Sequence, residues 1–274
     1  MTSRVTTDFT PATGLLATLD LLQVSTDGAV VHVRLNRPAK RNAISDTLIR
    51  QLHTCFVNLP EGVRAAVVSG EGAHFCAGLD LAELVERDIG GGVLHSRMWH
   101  AAFDAIQFGP VPVVAVLHGA VVGGGLELAA SCHLRVAEQS AYFGLPEGQR
   151  GLFVGGGGSV RIPRLMGVAR MTDLMLTGRV YDAVEGVQVG LAQYLVADGE
   201  GLAKGIALAQ RIASNATMSN YAVMHALPRI ADQSQSEGLL TESLMAAVAE
   251  STPEAQLRLR AFLEGRAGKV VKTP

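Results

Sequence analysis

The chain has 274 residues, 48% hydrophobic and 18% charged, with a formal net charge of −2. That balance excludes a disordered chain, and the absence of a long basic run argues against nucleic acid or an anionic membrane as partner. No apolar run reaches membrane-spanning length, and the length suits one large domain with a sizeable core, or one domain plus a helical appendage.

The three cysteines, Cys55, Cys76 and Cys132, are neither an even set nor spaced as metal ligands. They read as reduced thiols of a cytoplasmic protein, with no metal expected. Met1 to Ala17 is rich in Ser and Thr, carries Arg4 as its cation and already contains Asp8. It reads as a frayed terminus over about residues 1–20 rather than a transit peptide.

In chain order, Ala29 to Leu35 alternates apolar and polar residues, which predicts a half-buried strand ended by Asn36-Arg37-Pro38. Ser45 is positioned to cap a helix reaching about Leu59. Ala65 to Gly70 is a continuous apolar strand. Phe75-Cys76-Ala77-Gly78-Leu79-Asp80 follows as a loop opening into Leu81-Ala82-Glu83-Leu84. Gly90-Gly91-Gly92 reads as a break, after which a helix runs through Met98, Ala102 and Ile106. Val111 to Leu117 is a buried strand, and the turn Gly123-Gly124-Gly125 starts a helix lasting to about Ser131. Leu134 to Ala137 and Ala141 to Phe143 are short strands.

Buried strands alternating with helices predict α/β layering with mainly parallel strands, and such folds place their chemistry in loops beyond the strand C-termini. From Ser159 onward the pattern reads as almost entirely helical, with helices over 169–176, 202–213, 232–249 and 253–264. No linker, repeat or second domain is visible. The helical tail has too little core of its own, so it is expected to pack on the domain or on another subunit.

The chemistry concentrates in Gly123-Gly124-Gly125-Leu126-Glu127 and Gly144-Leu145-Pro146-Glu147. Two carboxylates, Glu127 and Glu147, can act as a proton donor and acceptor when the site holds them in different protonation states. A glycine-rich turn opening a helix can aim N–H donors at a developing oxyanion. The combination suits reactions at a carbon alpha or beta to a carbonyl. The bland alternatives are that Glu127 merely complements a helix N-terminus and that Glu147 is a solvated turn residue. His118 and Asp80 read as structural, the latter as a helix cap, and Cys76 has no histidine placed to activate it. Tyr142 and Phe153 read as core packing, with lining or support of a pocket as the alternative.

Five segments together resemble the crotonase family, the enoyl-CoA hydratase and isomerase superfamily. They are Asn36-Arg37-Pro38 through Asn42-Ala43, Phe75 through Leu81, Pro112 through Ala130, Phe143 through Glu147 with Gly151, and Gly155-Gly156-Gly157-Gly158 through Gly167. The resemblance spans about residues 28–200, in the family's order. It implies a spiral of ββα turns over residues 1–200 and a helical region over 201–274 used for trimerisation, as a trimer or dimer of trimers. It implies an acyl-CoA substrate, with coenzyme A as part of that substrate and no separate cofactor. The oxyanion-hole donors it implies resemble Leu79 N–H and Gly124 N–H, and the acid–base pair resembles Glu127 and Glu147.

Substrate contacts carried over by position are Ala77, Asp80, Leu81 and Ala82. Arg41, in a basic group with Arg37 and Lys40, is either a solvated turn residue or a contact for CoA phosphates. The chain departs from the family pattern at Val154, where a proline is usual, at Ala82, where a lysine is frequent, and in its Phe262-Leu263-Glu264-Gly265-Arg266 ending. The implied reaction is hydration of a 2,3-enoyl-CoA to a 3-hydroxyacyl-CoA. Double-bond isomerisation, hydration followed by carbon–carbon cleavage, and silent acyl-CoA binding are the alternatives.

Overall fold

The computed structural model describes residues 8–83 and 85–266. Expectations on residues 1–7, on Leu84 and beyond 266 therefore lie outside the described residues. The chain divides into two compact units, with the boundary between Ala213 and Ser214.

In the first unit the strands are β1 (Thr10–Pro11), β2 (Leu22–Asp27), β3 (Val30–Leu35), β4 (Ala65–Gly70), β5 (Val113–Leu117), β6 (Ala120–Val122), β7 (Leu134–Glu138), β8 (Tyr142–Gly144), β9 (Val180–Asp182) and β10 (Tyr194–Val196). They form one sheet in the order β1-β2-β3-β4-β5-β7-β10 and a second in the order β6-β8-β9. The β3–β4, β4–β5, β5–β7 and β7–β10 pairs are parallel, and the N-terminal β1–β2 and β2–β3 pairs antiparallel. The predicted α/β layering with a parallel-rich sheet is what the molecule has. The helices of this unit are α1 (Asp46–Val57), α2 (Ile89–Gln107), α3 (Gly124–Ser131), α4 (Gly158–Met166), α5 (Val168–Thr177), α6 (Ala183–Gln188) and α7 (Gly201–Ala213).

The period-two rule sorts the sheet's side chains onto two faces. Val31, Val33, Leu35, Ala66, Val68, Val113, Ala115 and Leu117 enter the larger core cluster. Val30, Ala65, Val67, Val114 and Val116 enter a second cluster with Ile206, Ala209 and Ala213 of α7. Here the structure corrects two expectations. β3 is buried on both faces rather than one, because α7 covers the second face. α7 belongs to the sheet domain and not to the tail. A Cβ on Gly205 would stand 2.5 Å from Val116 Cγ2, so this glycine is what lets α7 approach so closely.

Three further corrections follow from local chemistry. Gly90-Gly91-Gly92 does not break the chain but lies in the first turn of α2, where the Asp88 carboxylate accepts from Gly91 N–H at 2.6 Å. The stretch after Ser159 is not all helix, since β9 and β10 are recruited by pairing with β8 and β7. Residues 8–20 are not frayed: Thr10 and Pro11 pair with Thr26 and Ser25, and Leu16 and Leu19 are buried. The expected cap at Ser45 is present, its Oγ accepting from Leu48 N–H at 3.1 Å to start α1.

The second unit is helical: α8 (Thr217–Tyr221), a π turn over Ala222–Ala226, α9 (Leu227–Ala231), α10 (Gln235–Ser251) and α11 (Pro253–Leu263). Ser234 and Glu237 form a reciprocal capping box that starts α10. Its interior is small, centred on Met224, while Leu239, Leu240, Leu244, Leu257, Phe262 and Leu263 are exposed.

Candidate active site

The site is assembled where the small sheet hands over to α3. Gly123 caps the helix with φ 54° and ψ −125°, a conformation that glycine adopts without a Cβ penalty. A Cβ on Gly125 would collide with the Cys76 carbonyl oxygen, so glycine there lets the 75–80 loop lie against the helix start. Cys76 bridges to Val121, and Leu79 bridges to Ile44. Gly78 has φ 94°, and a Cβ on it would stand 2.8 Å from Val122 O and 3.5 Å from Gly124 N. These glycines bring the backbones at Leu79 and Gly124 to the rim of a single cavity of about 290 Å³.

Both N–H groups are left over by the fold. Ile44 N–H donates to Gly78 O at 2.7 Å and Asp80 N–H donates to Ile44 O at 2.9 Å. Alternation along this extended segment turns the intervening Leu79 N–H away from Ile44. Gly124 N–H belongs to the first turn of α3, whose donors have no intrahelical acceptor. Neither has a hydrogen-bond partner among the described residues. Two free donors beside a helix N-terminus suit an oxygen that gains negative charge.

Glu127 comes from the first turn of α3 and is 3% exposed. Its Oε1 accepts from Gly156 N–H and from Gly158 N–H, each at 2.8 Å. The glycine loop that supplies them is anchored by α2. Ser96 Oγ donates to Gly155 O at 2.5 Å, and Arg161, held by Asp104 and Gln107, donates to Gly156 O at 3.0 Å. Burial pushes the Glu127 carboxyl up to about 7, with the Glu147 charge adding to the rise and the two N–H bonds and Arg161 opposing it.

Glu147 lies on the 3-10 turn Pro146–Arg150, after β8. It is half-buried, and burial raises its pKa as well, against the pull of its own backbone N–H and of Arg150. A Cβ on Gly123 would stand 2.9 Å from Glu147 Oε1, so the carboxyl leans over the start of α3. Its Oε2 is buried and has no partner among the described residues; the other such side-chain atom is Trp99 Nε1. Both residues line the cavity. Pairing two carboxyl groups of raised pKa in one cavity equips it for proton transfer near neutral pH.

Of the residues singled out in the sequence, Glu127, Glu147, Leu79, Gly124, Ala77 and Leu81 meet at this cavity, with Phe153 and Val154 on its wall. Asp80, Ala82 and Arg41 do not line it. The Asp80 carboxylate takes an ion pair with Arg37 at 2.9 Å and accepts from Ala82 N–H at 3.2 Å, so it fastens the loop from behind. Arg41 has left-handed backbone at φ 50°, and its carbonyl accepts from Ala77 N–H at 3.0 Å. His118 binds the Gly72 carbonyl at 3.0 Å through Nε2, away from the cavity. Cys76 is buried, and its thiol is pushed up to about 12, which keeps it inert. Tyr142 sits in β8 and does not line the cavity.

The sequence reading missed the α2 wall, where Gly92, His95, Ser96 and Trp99 face the cavity, and also Arg87 and Arg150. The α2 residues recur at helical spacing, a signal that was present but obscured by reading the glycine triplet as a break.

Among the described residues there is no cluster suited to a metal ion and no helix long and apolar enough to cross a membrane. The family model for enoyl-CoA hydratase/isomerase matches residues 25–270. The chain is 34% identical over 255 residues to the human enoyl-CoA hydratase domain-containing protein 2, mitochondrial, covering 89% of this chain and 86% of that protein. It is 30% identical over 245 residues to enoyl-CoA hydratase EchA19 of Mycobacterium tuberculosis, covering 88% and 92%. A crystal structure of a protein assigned as an enoyl-CoA hydratase in Rhodopseudomonas palustris superposes with a TM-score of 0.89 at 55% identity, covering 93% of this chain and 98% of that one. Together with the parallel-rich sheet and the cavity at the start of α3, these likenesses establish that the chain belongs to the enoyl-CoA hydratase/isomerase family, within the crotonase superfamily.

Proposed function

We propose that this enzyme adds water across the 2,3-double bond of an enoyl-CoA thioester to give a 3-hydroxyacyl-CoA. The observation that carries this reading is the meeting of two carboxyl groups of raised pKa with two acceptor-free N–H groups in one cavity. In the proposed reaction the thioester oxygen lies against Leu79 N–H and Gly124 N–H, which stabilise it as enolate charge develops. One carboxylate takes a proton from water as the water oxygen bonds to the β carbon. The other carboxyl group delivers a proton to the α carbon, and the enolate electrons form the new C–H bond. Glu127 Oε1 is committed to two N–H donors, so Oε2 is its reacting oxygen. Burial favours the protonated form of both carboxyl groups, and the charge of Glu147 adds to the rise at Glu127.

Hydration is redox-neutral, so acid–base groups and an oxyanion site suffice without a resident cofactor, and coenzyme A arrives with the substrate. Arg41 and Ala82 lie outside the acyl cavity, which leaves them to the CoA moiety. The test is a panel of 2-enoyl-CoA thioesters followed by absorbance at the conjugated thioester and by product identification. Loss of conjugation with formation of 3-hydroxyacyl-CoA supports hydration. A 3-enoyl product would instead assign the double-bond isomerase reaction, and an aldehyde with acetyl-CoA the cleavage reaction.

The assembly proposed is a homotrimer or dimer of trimers. It is supported by the leucine-rich exposed faces of α10 and α11, which a small helical unit leaves uncovered. Light scattering at micromolar concentration is expected to give at least three times the chain mass, and a monomer mass would overturn it.

A further inference from the structure

The α2 wall of the cavity carries polar chemistry that the proposed hydration does not use. His95 Nε2 lies 2.7 Å from Asp46 Oδ1, and Arg87 lies 3.7 Å from the other oxygen of that carboxylate. Asp46 opens α1, and its N–H donates to Glu83 Oε2 at 3.0 Å. His95 and Arg87 line the cavity; Asp46 stands behind them. The histidine is about a fifth exposed and the aspartate about a third, at 21% and 30% of their side chains, so the pair borders the open space without being dissolved in it.

This pairing gives His95 a definite polarity. A carboxylate only accepts, so the bond to Asp46 engages Nε2–H and leaves Nδ1 as the ring's remaining polar atom. A polar ring nitrogen on a wall shared with Leu81, Val85 and Phe153 gains nothing from an aliphatic chain end. Arg87, a cation on this wall, already faces Asp46 at 3.7 Å, so its charge is in part offset towards an incoming carboxylate. A neutral hydroxyl, which can donate to or accept from a ring nitrogen, fits.

The rings also relate His95 to the oxyanion N–H groups. His95 and Trp99 have ring centroids 6.2 Å apart. The same indole is what a Cβ on Gly124 would strike, at 2.8 Å from Cζ3. His95 and the oxyanion N–H of Gly124 therefore both border Trp99, which puts His95 within reach of an acyl chain whose thioester sits at that N–H.

We propose that His95, oriented by Asp46, is a specificity-determining residue that selects acyl groups bearing a hydroxyl beyond the reacting carbons. The inference rests on reading the cavity as an acyl-CoA site and deepens that reading by naming a substrate class.

The test separates selectivity from chemistry by using saturated thioesters, which bind but do not hydrate. Calorimetric titration compares hexanoyl-CoA, 6-hydroxyhexanoyl-CoA and adipoyl-CoA with the wild-type protein and with His95→Leu and His95→Gln. One hydrogen bond corresponds to about 3- to 10-fold in affinity, so the hydroxylated thioester is expected to bind tighter than hexanoyl-CoA by that ratio. The ratio is expected to fall to about one in His95→Leu and to recover in part in His95→Gln. A dyad that only clamps α1 to α2 would instead change both affinities together and leave the ratio alone. Equal binding by the wild type, a ratio unmoved by His95→Leu, or tightest binding of adipoyl-CoA would overturn the proposal. Failure of hexanoyl-CoA itself to bind would overturn the acyl-CoA reading and this inference with it. Selective binding without turnover of any enoyl-CoA would overturn the hydration alone.

Discussion

Glu127 and Glu147 share a cavity, but the fold holds them in opposite ways. Glu127 stands on a helix, is almost fully buried, and has one oxygen fixed by two backbone donors from the glycine loop. Glu147 stands on a five-residue 3-10 turn and keeps an oxygen with no partner among the described residues. The first carboxyl is positioned by structure already in place. The second has acceptor capacity left for something that enters the cavity, such as water or substrate. The difference shows how one site can contain a carboxyl group that stays where it is and another that responds to what is bound.

The largest expected effect comes from removing each carboxylate without changing its shape. Glu127→Gln and Glu147→Gln should each lower turnover of an enoyl-CoA by roughly 100- to 10,000-fold, the usual worth of a general acid or base. The double variant should lose far less than the product of the two, because the pair acts as a unit. Steady-state rates on the same thioester, with far-UV spectra to verify folding, provide the measurement. Near-wild-type hydration by either variant would remove that residue from the chemistry.

The next effect concerns the oxyanion donors, Gly124 on the helix that carries Glu127 and Leu79 on the 75–80 loop. Gly124→Val places a branched side chain against Trp99 and disturbs the N–H beside it. Losing one such donor typically costs about 100- to 1,000-fold in turnover. Affinity for the saturated acyl-CoA should fall less than kcat. Leu79→Ala keeps its N–H, so it should alter chain-length preference more than the rate on the best substrate. If Leu79→Ala were the more damaging change on every thioester, the donors would have to be sought elsewhere.

How much of this was legible in the sequence follows from how local each feature is. Gly123 to Glu127 and Gly144 to Glu147 are short stretches whose own backbone chemistry builds the feature, so they could be read directly. The α2 wall was not read, because glycine's low helix propensity made Gly90 to Gly92 look like an interruption. Asp88 caps that turn and tertiary contact outweighs the propensity. β9 and β10 are three residues each and exist only through partners far away in the chain, which no local pattern reports. Asp80 shows the reverse error. Its position next to Leu79 suggested substrate contact, whereas its charge is spent on Arg37. The identity of a residue in a motif was visible, but the direction of its side chain was not.

The smallest expected effect tests the comparison through stability rather than rate. In the unfolded chain Glu127 titrates near the ordinary glutamate value of 4.5, and in the folded protein near 7. Below pH 4.5 both states hold the proton and the residue costs nothing. Between pH 4.5 and 7 the unfolded state loses its proton first, so stability falls as pH rises; above 7 the cost is constant. At 1.36 kcal/mol per pKa unit, that plateau is on the order of 3 kcal/mol. A glutamine in place of Glu127 carries no charge to bury and keeps an oxygen for the Gly156 and Gly158 N–H groups. Glu127→Gln should therefore match the wild type at pH 4.5 in chemical denaturation and become the more stable protein by pH 8. Glu147→Gln should gain less, since Glu147 is only half-buried. A Glu127→Gln variant no more stable than wild type at pH 8 would mean that the buried carboxylate carries no such cost. The contrast between the two residues would then be one of geometry alone.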